Sequence, residues 1–333
     1  MLLPDLGKYL WCKMQTNFFP QTQAFEVQIG DANSFMWACY SGLWHLVSEA
    51  KRLNHALGVT DWTKAEAYLM PGAPGAGGVD LHEIAIRRSW AAHEDEFEQN
   101  ILIQMSVLYE EWAGSVCQLI EPSFGGAADL LQFPTSMPRK YLAIKTWKKW
   151  KIAIDGNPSV LIANEFQPGL LTRYNPVIAQ IDPLLKWYRF FKECRNTRVH
   201  SGGVHTGASV KAFNAANLTP LTTCGLSRNL ALPNAPAVGQ PATMGMQNAL
   251  LGLAVVQRLA NAFDALLCHS PSCETYVLAK LTTASKTIGR IPGATLAKRN
   301  DHIRSILTKA QLPLPSNFVA TDNYLKAHGL IKF

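Results

Sequence analysis

Apolar residues along this chain recur mostly in steps of three and four, and that period predicts helices almost throughout. Trp37, Tyr40, Trp44, Val47 and Leu57 outline a helix over 33–57. Gly30-Asp31-Ala32-Asn33-Ser34 offers caps at its start, and Gly58 ends it. Just before it, Phe25-Glu26-Val27-Gln28-Ile29 alternates and reads as a short strand. A second helix is expected over 62–69, capped by Thr60 or Asp61. The stretch Pro71-Gly72-Ala73-Pro74-Gly75-Ala76-Gly77-Gly78 can sustain neither helix nor central strand and marks a boundary.

Beyond the boundary, Ile84, Trp90, Phe97, Ile101, Met105, Leu108, Trp112, Val116 and Leu119 form one stripe, which predicts a single long helix over 81–120. Pro122 and Gly125-Gly126 close it. Residues 152–177 read as loop-rich. A helix then follows up to residue 200, with Ile178, Ile181, Leu184, Leu185, Tyr188, Phe191 and Cys194 on its apolar face. Pro183 lies inside the run, so the helix is expected to start there, with Asp182 as its cap. Residues 204–243 are poorly periodic and read as a long excursion. Leu250, Leu253, Val256, Leu259, Phe263, Leu266 and Leu267 mark a strong helix over 244–268. The tail holds two or three short helices, clearest at 298–307 and 322–330, separated by Pro313-Leu314-Pro315. The resulting fold class is all-α. The expected division is a mostly helical extension over 1–70, a helical bundle over 79–270 with an insertion at 204–243, and a small helical region over 271–333.

Composition agrees with a packed protein: 48% of the 333 residues are hydrophobic and 17% charged, so this is not a disordered chain. The net charge of +7 favours an anionic partner such as nucleic acid. Seven scattered cysteines, mostly among apolar neighbours, read as reduced core thiols of a cytoplasmic protein. The first residues lack the pattern of a signal peptide, and polar residues interrupt the apolar run 249–267, so a buried helix is expected there and no membrane span.

Candidate chemistry is concentrated in one place. Phe190-Phe191-Lys192-Glu193-Cys194-Arg195-Asn196-Thr197-Arg198-Val199-His200-Ser201-Gly202-Gly203 sets two arginines, an asparagine and a histidine at the end of a helix. Arginine clamps phosphate oxygens and histidine moves protons near neutral pH. The same residues also suit a plain helix C-terminus, where cations face the negative pole of the dipole. On an ideal helix Arg195 and His200 lie about 140° apart, so their convergence needs a frayed helix end or a second copy of the helix.

A second cluster, Arg139-Lys140-Tyr141 with Lys145-Thr146-Trp147-Lys148-Lys149-Trp150-Lys151, has two readings. It could grip phosphates while its rings stack on bases, or form a helix with Trp147 and Trp150 in the core and Lys148 and Lys149 in water. The acidic run His93-Glu94-Asp95-Glu96-Phe97-Glu98 reads as a solvated flank. Cys268-His269-Ser270-Pro271-Ser272-Cys273 lacks the second ligand pair of a zinc site, and Gly72 to Gly78 lacks the Lys-Ser/Thr ending of a phosphate loop. Cys194 falls on the apolar face and reads as core, and His205 as a loop residue.

Arg195-Asn196-Thr197-Arg198-Val199-His200, after a long apolar helix and before Gly202-Gly203, resembles the signature of the HEPN family: arginine, a polar residue, three variable residues, histidine. The resemblance implies an antiparallel helical bundle that pairs as a homodimer. It further implies a metal-independent endoribonuclease of toxin–antitoxin, abortive-infection or anti-phage type, without a cofactor. By this resemblance Arg195, Asn196 and His200 are catalytic, with Arg198 and Lys192 as RNA contacts, and the phosphate-gripping reading of the basic segment adds Lys148 and Lys149 as RNA contacts. The implied partners are RNA, a second copy, and an antitoxin or defence-system protein. The alternative is a non-catalytic helical module that binds nucleic acid or serves as a subunit of a defence complex.

Overall fold

The computed structural model describes residues 17–59, 61–72, 78–120, 127–135, 146–156, 159–219, 221–224, 226, 234–288, 295–315 and 317–331. Expectations for Cys12, Thr60, 73–77, Pro122, Gly125, Gly126 and the basic residues at 139–145 lie outside them. The described residues form helices and turns, with one isolated β-bridge between Val204 and Pro241. The all-α reading holds.

Helix α1 (Pro20–Leu57) starts on a proline whose missing N–H costs a first turn nothing, and ends at Gly58 with φ 56°. The strand expected at 25–29 is its second turn. Phe25 and Ile29, four apart, are buried, while Val27 faces outward. Five residues of alternation fit both periods, and the packing of Phe25 on Trp112 at 5.9 Å selects the helix. A short α2 (Trp62–Leu69) is capped by Asp61, whose side chain accepts from Lys64 N–H.

The helix expected over 81–120 is divided. A π-turn at Glu83–Arg87 leads to extended backbone at Arg88, and α3 (Trp90–Ile120) starts afresh, with Ser89 Oγ accepting from Ala92 N–H at 3.2 Å. One turn, α4 (Ala127–Leu130), follows. Then come α5 (Lys148–Gly156) and a π-turn at Ile162–Phe166 that runs into α6 (Gln167–Ile178), where loop was expected. The motif helix is α7 (Ile181–His200). Asp182 does not cap it. Its carboxylate accepts instead from Thr135 N–H at 2.8 Å and Trp147 Nε1–H at 2.7 Å.

Within the expected excursion lies α8 (Gly207–Asn217), opened by a capping box between Thr206 and Ser209. Its Phe213 meets Phe190 of α7 at 5.1 Å. Then come α9 (Met246–Leu267), α10 (Pro271–Ile288), α11 (Leu296–Ala310) and α12 (Phe318–Ala327).

The centre of the fold is α9. It packs on α1, α3, α6 and α7, and its apolar residues are buried on nearly every side. That enclosure explains why a helix long and apolar enough to cross a membrane lies inside the protein. Gly252 allows the closest approach: a Cβ there would lie 2.6 Å from Met105 Sδ and 3.4 Å from Phe191 Cγ. One core runs from Phe18 and Phe25 through α3, α7 and α9 to Ile303 and Leu325. A smaller cluster of Val47, Ala50, Ala65, Leu81 and Ala85 sits apart, shared by residues on both sides of the glycine-rich stretch.

Candidate functional site

Helix α7 buries Trp187, Tyr188, Phe190, Phe191 and Cys194, and turns its polar residues towards α3 and towards solvent. Its cations differ sharply in what they hold. Arg189 pairs with Glu193 at 2.6 Å, and its guanidinium lies 4.9 Å from the Phe133 ring centre. Lys192 Nζ reaches Glu110 Oε1 and Gln132 Oε1, each at 2.6 Å. Its charge is therefore matched by an acid within the protein.

Arg198 is enclosed, its side chain only 6% exposed. It donates to Asp95 Oδ1 at 2.8 Å, Asp95 O at 3.1 Å, Glu98 Oε1 at 2.9 Å and Ala242 O at 2.8 Å. This placement corrects the expected RNA contact, because the guanidinium is spent inside the fold. Glu98, taken from sequence as part of a solvated flank, is buried. It accepts from Met244 N–H and Gly245 N–H, and so caps α9 from α3. Burial raises its carboxyl above the ordinary range, while Arg198 and the two backbone N–H groups pull it down. Arg198 and Glu98 thus tie α3, α7 and the start of α9 together.

Arg195 has no such acid. Its Nη1 donates to Asn196 Oδ1 at 3.1 Å, its Nε is buried without a hydrogen-bond partner, and no carboxylate lies within 4.0 Å among the described residues. Asn196 therefore holds Arg195 and does not reach His200. His200 is exposed on the last turn. The helix stays regular to that point. Ser201 N–H and Gly203 N–H both return to Thr197 O, and Gly202 and Gly203 take φ of 64° and 75°, which a glycine-terminated helix needs.

The chain then pairs with a later segment. His205 N–H donates to Gln240 O, Gly239 N–H to His205 O and Ala242 N–H to Gly203 O. The frayed end that would let Arg195 and His200 converge within one chain is therefore absent. His205 is buried, with Nδ1 3.2 Å from Ser209 Oγ. Burial first, and the Arg198 charge second, lower its pKa and favour the neutral ring.

Neither Cys194 nor Cys273 is poised as a nucleophile. Burial pushes Cys194 far above its ordinary value and Cys273 up to about 12. Among the described residues no group of three or more His, Cys, Asp or Glu side chains could hold a metal ion. Lys148 and Lys149 are exposed on α5. Trp147 and Trp150 on either side of them are buried, Trp147 being bonded to Asp182, so neither ring can stack on a base. Glu98 and Asp95 are the residues sequence reasoning passed over, although the acidic run containing them was visible.

The chain matches no family model, no curated protein and no solved structure.

Proposed function

We propose that this protein is a metal-independent endoribonuclease of HEPN type, acting as a toxin or anti-phage effector. The observation carrying this reading is the state of Arg195. Of the three arginines on α7, Arg189 and Arg198 each hold a carboxylate, and Arg195 holds only a neutral amide. A half-buried guanidinium with a buried, unused Nε is poised for an external anion.

The chemistry needs few groups, because RNA carries its own nucleophile. His200 takes the proton of a 2′-hydroxyl as that oxygen attacks the adjacent phosphorus. Arg195 neutralises charge growing on the non-bridging oxygens, and Asn196 keeps the guanidinium in place. The bond from phosphorus to the 5′-oxygen breaks, that oxygen takes up a proton, and a 2′,3′-cyclic phosphate remains. Arg195 and His200 point about 140° apart on a regular helix, so the complete site draws His200 from a second copy.

The test is RNA cleavage in excess chelator by wild type, Arg195→Ala and His200→Ala, with each shown to be folded by circular dichroism. Cleavage by wild type alone is the expected result. Intact RNA with the wild type, or equal cleavage by all three, would overturn the reading. RNA bound but uncut by all three, with affinity lost on charge reversal at Lys148 and Lys149, would favour the non-catalytic binding module instead.

A further inference from the structure

The positive charge of the chain is unevenly placed. Nine of its 31 Lys and Arg residues and three of its 24 Asp and Glu residues fall within 271–333, so this region carries six of the seven net charges. Its three acids are each engaged: Glu274 accepts from the Ser159 hydroxyl at 2.9 Å, Asp301 pairs with Arg304 and Asp322 with Lys326.

Between α10 and α11 the same region opens a cleft of about 420 Å³. Lys280 of α10 and Lys309 of α11 line it, and no acidic residue does. Neither ammonium has a carboxylate within 4.0 Å among the described residues. Lys280 Nζ lies instead 5.6 Å from the centre of the Tyr276 ring, which forms part of the wall. Tyr276 Oη is buried without a hydrogen-bond partner, and burial raises its pKa to about 12, so it adds no negative charge. The small side chains of Ala279, Ala284 and Ala310 leave the space open. Two like charges in one cleft repel each other, and a dianion between them removes that repulsion.

We propose that this cleft binds a small phosphate monoester, its phosphate held by Lys280 and Lys309 and its organic body lying along the Tyr276 ring and the three alanines. The charges match, because a monoester carries close to two negative charges near neutral pH and the lysines supply two positive ones. The size matches as well. A water molecule takes about 30 Å³ of liquid volume, so the cleft has room for roughly ten or more non-hydrogen atoms, well beyond an inorganic ion. Mostly apolar walls with a few charged groups to fix orientation are the composition of small-molecule sites. This site uses neither Arg195 nor His200 and does not depend on the ribonuclease reading.

The test is titration of the full chain with phenyl phosphate and with inorganic phosphate, followed by phosphorus NMR at about pH 7.5 and constant ionic strength. Phenyl phosphate is expected to bind with a dissociation constant of about 1 mM or below, about tenfold more tightly than inorganic phosphate. Lys280→Gln and Lys309→Gln should each weaken it about tenfold. Ala279→Leu should weaken phenyl phosphate and spare inorganic phosphate. Ala279 is exposed, and leucine and glutamine are good helix formers, so circular dichroism should be unchanged in all three. Lys286→Gln and Lys298→Gln, which remove cations of the same region that do not line the cleft, should leave binding as it is. No binding by wild type overturns the proposal. So does an equal loss in all four lysine variants, which would mean diffuse attraction to a basic surface, and so does equal affinity for the two probes. A short single-stranded RNA bound more tightly than phenyl phosphate, and lost on Lys280→Gln and Lys309→Gln, would assign the cleft to a polymer and overturn it too.

Discussion

Asp264 lies wholly inside the protein, yet it is the acid that anchors the start of the longest helix. Its Oδ2 accepts from Phe18 N–H at 2.6 Å and its Oδ1 from Phe19 N–H at 2.9 Å, which caps α1 from 245 and more residues away. The N-cap residue Phe19 has no side chain able to do this itself. Burial lifts the Asp264 carboxyl from 3.8 to about 7, and nearby Glu26 adds to the rise. The Phe19 and Phe18 N–H groups and the Thr22 hydroxyl oppose it, and Cys268, Cys273 and Tyr276 border the same space. The folded state therefore binds a proton that the unfolded state has already released. The stability this group contributes is greatest below about pH 4, falls as pH rises towards 7, and is level above that. Roughly three pKa units correspond to about 4 kcal/mol as an upper figure, or about 1.4 kcal/mol per pH unit within the window.

Asp264→Asn separates this effect from the other carboxyls. The amide keeps the shape and one acceptor, loses the second acceptor at a cost of about 1–3 kcal/mol, and cannot ionise. Urea unfolding of both proteins from pH 4 to pH 8 measures the difference, in which Glu98 and every other shared titration cancel. At pH 5 the variant should be about 2 kcal/mol less stable than wild type. By pH 8 the gap should close or reverse, because wild type alone then buries a charge. A gap constant across the range would refute the argument, since it would mean that Asp264 does not change its proton binding on folding between those pH values.

Three further outcomes follow from the packing. Arg198→Ala leaves Glu98 buried without its cation and should cost about 3–5 kcal/mol in denaturant unfolding. Arg195→Ala breaks no ion pair and should cost under about 1 kcal/mol, so equal losses would contradict the division of labour between the two. Gly252→Val drives a branched side chain into Met105 and Phe191 and should lower stability by about 1–3 kcal/mol or more, read as a fall in the thermal midpoint. A variant as stable as wild type would show that α9 does not run as close to α3 and α7 as it is placed.

Helix was legible wherever one apolar stripe ran long enough to set a period. Ile101, Met105, Trp112 and Val116 were read as one face, and all four are buried. Legibility failed where the stripe was short or the residues small. Phe25 to Ile29 is too brief to separate a period of two from one of four, and only its packing on Trp112 decides. In α8, Phe213 and Ala216 are the only buried apolar residues, so its clearest local sign was the Thr206–Ser209 cap, which composition obscured. The division at 88–89 was hidden because Ile84 and Trp90 were joined into one stripe, whereas the residues buried before the break are Leu81 and Ala85.

The position of the candidate residues on α7 was legible, and the partners that each of them holds were not. Arg195 and Arg198 stand three apart on one helix and carry the same group, and nothing local distinguishes the arginine without an acid from the structural clamp. The difference is made by Asp95 and Glu98, more than ninety positions earlier, which the fold brings to Arg198 and not to Arg195. Once they are there, the two arginines become unequal: one is neutralised and enclosed, the other keeps its charge and an unused N–H. A charged residue at a helix end becomes a candidate for catalysis through the partners the fold withholds from it, and those partners are set by tertiary contacts that no window of six residues contains.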